Sequence, residues 1–174
     1  DIDWVKETTE SLHTLYQEKL TQVDQSSSLE TINEAISSMV DKMNALLLKA
    51  YTVSAYIRSF ITTDSFNQQA ARMGSEFDQV LVGIQKVNII LQAWVGQFKD
   101  ILPDVLELGN SAGEHAFPIK ELAEQSQYLM SEKEEILSSE LSLSGSRAWG
   151  KLQGTITSQK TVDIDLEGEM QTLP

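Results

Sequence analysis

Apolar residues recur along this chain at alternating steps of four and three. From Ser28 onward they fall at Ile32, Ile36, Met39, Met43, Leu46, Ala50, Val53, Ile57 and Phe60, a heptad seam along one face of a helix. A second seam runs through Phe66, Ala70, Met73, Phe77, Val80, Ile84, Val87, Leu91, Trp94, Phe98 and Ile101. Between the two lies Thr62-Thr63-Asp64-Ser65, a short polar break rich in capping residues. Ser27-x-x-Glu30 and Ser65-x-x-Gln68 are capping-box patterns at the two expected starts, and Pro103 marks the expected end of the second helix. Helices joined by so short a turn run antiparallel. At about 1.5 Å per residue each extends roughly 50 Å. The central element is therefore predicted to be a long helical hairpin.

Further apolar positions widen both seams. Val40, Leu47, Ile61, Leu81, Ile90 and Val95 sit beside seam residues, so each helix has more than one neighbour to bury against. One neighbour is a predicted first helix from Trp4 to Val23, with Val5, Leu12, Leu15, Tyr16 and Leu20 on its apolar side. After Pro103, Leu108 to Gly113 reads as a loop, and Pro118 suits the first position of a helix carrying Ile119, Leu122, Ala123, Ser126 and Met130. Ser131-x-x-Glu134 caps a helix through Ile136, Leu137 and Leu141, and Gly145-Ser146 separates it from a helix over Arg147 to about Gly154.

The tail changes period. Thr161-Val162-Asp163-Ile164-Asp165-Leu166 alternates strictly, with Val162, Ile164 and Leu166 on one strand face. Glu167-Gly168 is a plausible turn into a second strand over Glu169 to Leu173. The pattern breaks off at Pro174, which reads as a boundary inside a larger protein. The expected fold is mainly α: an antiparallel helical bundle built on a long hairpin, with a short C-terminal β-hairpin. Residues 1–156 form the helical domain and 157–174 the β tail.

Charge and composition narrow the functional classes. The 174 residues carry 13 Lys+Arg against 26 Asp+Glu, a formal net charge of -13. That balance disfavours nucleic acid and anionic membrane surfaces, both of which select Lys/Arg clusters. More than half of the charge lies in residues 104 to 140, where nine acids face only Lys120 and Lys133. With no Cys, disulfide scaffolds, thiolate zinc sites and thiol chemistry drop out. The opening Asp1-Ile2-Asp3-Trp4 has neither the basic nor the apolar region of a signal peptide. It also lacks an initiator Met, so upstream residues are expected to have been removed or not included. No apolar run approaches the ~20 residues of a membrane span. A cytoplasmic location is the expectation.

Candidate chemistry is sparse. His13 lies beside Leu12 on the first helix and reads as a surface or packing residue. His115 follows Glu114 in a Gly-rich stretch, but no second His stands at helical spacing from it, as a zinc site would require. Glu134-Glu135 and Asp163/Asp165 are the acid pairs, and neither has the spacing of a calcium loop. Trp4, Trp94 and Trp149 fall on predicted apolar faces and read as core. No nucleophile elbow or phosphate-binding loop occurs. No catalytic, cofactor-binding or metal residue is expected in this chain.

One stretch carries a resemblance. Tyr128-Leu129-Met130-Ser131-Glu132-Lys133-Glu134-Glu135-Ile136-Leu137 leads into Ser144-Gly145-Ser146-Arg147-Ala148-Trp149-Gly150-Lys151-Leu152, then Ile156-Thr157-Ser158 and the alternating tail. Over roughly Ser54 to Leu173 this resembles the N-terminal region of oligoendopeptidase F-like zinc metallopeptidases, relatives of thimet oligopeptidase. The resemblance implies a helical wall of a substrate channel for short peptides. It also implies a following catalytic domain that bears His-Glu-x-x-His and zinc, toward which the β tail leads. His-Glu-x-x-His does not occur in this sequence, so zinc is expected in that other domain. The partner implied is the catalytic domain itself, with a homodimer through an exposed docking edge as a further expectation. The competing expectation is a free-standing helical adaptor that uses its seams on a partner.

Overall fold

The computed structural model describes residues 1–166 and 169–173. It consists of α1 (Ile2–Gln22), α2 (Leu29–Thr63), α3 (Gln68–Gly96), α4 (Leu102–Glu107), α5 (Asn110–Glu114), α6 (Ala116–Gln125), α7 (Glu132–Ser144), α8 (Ser146–Ser158), β1 (Val162–Leu166) and β2 (Glu169–Leu173). The expected mainly α fold is present, and β1 and β2 pair antiparallel with Val162 opposite Leu173. The turn expected at Glu167-Gly168 and the side chains of Leu20 and Leu166 lie outside the described residues.

Both seams meet in one core. Ile32, Ile36, Met39, Leu46 and Ala50 of α2 join Phe77, Val87, Leu91 and Trp94 of α3 in a single buried cluster. The first helix closes that cluster from outside: the Tyr16 hydroxyl donates to the Met39 carbonyl, and Trp94 Nε1 donates to the Val23 carbonyl at 3.2 Å. Burial pushes the Tyr16 hydroxyl far above the usual phenol range. Trp94 also meets Phe98 edge to face, with ring centroids 4.8 Å apart.

Burial fades toward the hairpin tip. Asp1 pairs with Lys49 at 3.1 Å, so α1 begins level with that residue. Beyond it α2 continues through Thr63, or about 20 Å at the helical rise, with α3 as its neighbour. The seam ends Phe60 and Phe66, expected inside, are therefore exposed.

Several expected boundaries shift, those of α2 and α3 because a neighbouring residue makes a competing bond. Ser27 is occupied in the preceding turn, where its Oγ accepts from Asp24 N at 3.2 Å, so Ser28 caps α2 by accepting from Thr31 N. Asn67 caps α3 by accepting from Ala70 N at 2.9 Å, and Ser65 stays in the turn set by Asp64. The third helix ends at Gly96 rather than near Pro103. Pro103 instead opens α4 in its first turn, where a missing N–H costs nothing. Pro118 is the third residue of α6 rather than its first. That helix stops at Gln125 and passes into a 3-10 turn over Ser126–Tyr128, which leaves Met130 outside it. The expected loop 108–113 contains α5, and α8 runs four residues past Gly154 to Ser158.

A buried polar junction, unforeseen in the sequence, seats α4 and α5 on α2. Asn33 is buried; its Nδ2 donates to the Val105 carbonyl at 2.8 Å and the Gly109 carbonyl at 3.2 Å, and its Oδ1 accepts from Asn110 at 2.8 Å. The junction needs left-handed backbone at Gly109 (φ 84) and Asn110 (φ 58), the two residue types that adopt it most readily. Beside it, Ser37 Oγ accepts from Ala112 N.

Candidate docking surface

The segment that follows α6 is held to α3 by charge as much as by burial. Its first helix, α7, opens with the expected capping box: Ser131 Oγ accepts from Glu134 N, and Glu134 Oε2 accepts from Ser131 N at 3.0 Å. The Ser131 hydroxyl and amide hold the Glu134 carboxyl below the usual range. Glu135 accepts from Met130 N at 3.0 Å. Both members of this acid pair thus bond the helix start. One side of α7, at Ile136 and Leu143, is half-buried, and Lys86 of α3 pairs with Glu140 at 2.7 Å.

Gly145 ends α7 and starts α8, which is held by its cations. Lys151 Nζ lies 2.6 Å from Asp78 Oδ2 and donates to Ser75 Oγ at 3.2 Å. Arg147 approaches Asp78 Oδ1 at 3.5 Å and donates to the Asp78 carbonyl. Arg147 and Lys151 are four apart, on one face of the helix. Trp149, Leu152 and Ile156, spaced three and four, lie on the opposite face and are exposed at 71%, 48% and 48%. The helix has no buried residue at all. Its amphipathicity is inverted: cations point to the bundle and the apolar stripe points away. Leu137 and Leu141 of α7 are exposed as well.

This overturns the core assignment of two tryptophans. Trp94 is fully buried, whereas Trp149 and Trp4 are exposed. Helical spacing identifies a stripe, but not which side of it meets the bundle. Asp78, which decides the matter for α8, sits 69 residues from Arg147 in sequence. The available signal was the pair Gly150 and Gly154, an unusual content for a helix packed on a core.

The remaining sequence candidates are dispersed. His115 is half-buried, with Nδ1 3.0 Å from the Ser111 carbonyl and Nε2 3.3 Å from Asn44 Nδ2. A carbonyl only accepts, so Nδ1 carries the hydrogen and Nε2 accepts from Asn44. Both ring nitrogens are thus engaged by the protein. Glu114 beside it is exposed, His13 is half-buried on α1, and Asp163 and Asp165 are exposed on β1. Among the described residues no three of His, Asp and Glu converge as metal ligands, and no helix is long and apolar enough to cross a membrane.

Comparison with protein families brings these elements under one heading. Residues 102–160 match the family model described as Oligopeptidase F, which represents the N-terminal part of M3 peptidases. The match starts at the first residue of α4 and runs through α8. It is narrower than the resemblance drawn over Ser54 to Leu173, and the hairpin lies outside it. Comparison with curated proteins and with solved structures finds no match. Over residues 102–160, this chain is similar to the N-terminal domain of oligoendopeptidase F-like peptidases.

Proposed function

We propose that this chain is the N-terminal region of a zinc-dependent oligopeptidase of the cytoplasm, and that its helices wall a channel through which short peptides reach a separate catalytic domain. The observation that carries the reading is the coincidence of the family match at 102–160 with α4 through α8, a connected run seated on the hairpin through Asn33, Lys86 and Asp78. The long hairpin suits a wall, because continuous helices of 35 and 29 residues give a stiff edge whose length no loop motion alters. The β1–β2 pair adds support, since a helical adaptor has no use for it.

The described residues do not fit a zinc site: their candidate ligands are dispersed, and His115 has neither nitrogen free. Water activation therefore falls to the catalytic domain. The chain contributes selection by length: a wall beside the active site admits short peptides and excludes long chains, folded or unfolded.

The test uses the catalytic region of an oligoendopeptidase F, supplied with zinc, against peptides of increasing length and an unfolded protein. Adding this chain should raise the preference for short peptides over the unfolded protein. An unchanged preference at saturating chain would remove the proposal.

A further inference from the structure

We infer that the outward stripe of α8, Trp149, Leu152 and Ile156, is a docking surface for an apolar protein surface rimmed by Lys and Arg. The inference rests on the reading above, in which that surface belongs to the catalytic domain.

Three observations carry it. The orientation of α8 is fixed from inside: Asp78 engages both of its cations, so the apolar face cannot turn inward without breaking those pairs. The helix is also poorly supported on its own. Gly150 and Gly154 each cost helix stability relative to Ala, and a Cβ at either would meet nothing within 4 Å, so packing within this chain does not require them. A helix of 13 residues with no buried side chain is marginal in water; contact along its stripe supplies the missing burial.

Charge then selects the occupant. With Arg147 and Lys151 committed to Asp78, α8 offers no further charged side chain. The adjoining α7 carries Glu132, Glu134, Glu135 and Glu140 against Lys133 and, through the Glu140 pair, Lys86 of α3, so it remains net acidic. The whole chain carries -13. A second copy would bring like charge to like, which disfavours a homodimer through this face. A basic rim around an apolar groove complements it.

Binding of the full 174-residue chain to the catalytic region of an oligoendopeptidase F, followed by calorimetry, tests this. Trp149→Ser and Leu152→Asp should each weaken binding roughly tenfold or more, as truncated central anchors do. Phe117→Ser, at an exposed aromatic on α6, should leave it unchanged. Both stripe positions are exposed, so circular dichroism of the variants should match the parent. Added salt should weaken binding as the charged rims are screened. Normal binding by both stripe variants would overturn this inference and leave the proposed function standing. A homodimer abolished by Leu152→Asp would make the occupant a second copy and overturn it as well. No binding by the parent chain would overturn both readings.

Discussion

Leu91 shows what the periodicity reveals about single residues. It sits mid-seam in α3 and is 2% exposed, so Leu91→Ala should cost about 2–5 kcal/mol in denaturant unfolding. A change within about 0.5 kcal/mol, the range of surface substitutions, would place it outside the core. Other decisive residues carry no periodic signal. Asn33 sits between Ile32 and Glu34 with no local pattern to mark it, and its partners, the Val105 and Gly109 carbonyls, lie 72 and 76 residues away in sequence. Asn33→Leu leaves those carbonyls without their amide donor and should destabilise by about 1–3 kcal/mol. Gly96 is similar. A Cβ there would lie 2.0 Å from Ser126 Oγ and 2.5 Å from Ser126 Cβ, so the chain past α6 fits only because the side chain is missing. Gly96→Ala should destabilise by about 1–3 kcal/mol, and adding Ser126→Gly should restore most of the loss.

At the scale of elements, helices and their approximate limits were legible because seams and caps are local. The misplaced starts of α2 and α3 had competing local bonds, as when Asp24 drew Ser27 into the preceding turn and Asp64 held the turn before α3. The Ser131–Glu134 box had no such competitor and formed as read. Its folded carboxyl lies below the usual range, so the stabilisation it lends α7 is present above the ordinary glutamate value and is lost as pH falls through the lowered one. The first turn of α7 should accordingly fray in acid before the hairpin does, read as faster amide exchange at Glu134 and Glu135. Uniform loss of protection across α3 and α7 would contradict this. What local sequence could not supply was orientation. The stripe of α8 has the same spacing as those of α2 and α3, and only the distant Asp78 turns it outward.

At the scale of the whole molecule, a well-buried bundle carries two helices, α7 and α8, that bury no residue. The hairpin, α1 and α4 to α6 enclose the core, while α7 packs on α3 and α8 on α7, neither with a buried residue of its own. Residues 102–160, the family-matched run, include both of these helices. The residues around Ser131 and Trp149 carried the resemblance that is matched at 102–160, whereas the apolar stripe of α8 was misread as core because helical spacing looks the same whichever side meets the bundle. The most direct measurement is amide hydrogen exchange of the 174-residue chain with and without the catalytic region of an oligoendopeptidase F. Alone, Arg147 to Ser158 should exchange far sooner than the helix around Ile84, whose bonds lie in a buried segment. With the catalytic region present, protection should rise along α8 while Ile84 and its neighbours stay as they were. Unchanged exchange along α8, at concentrations that saturate binding, would contradict the account.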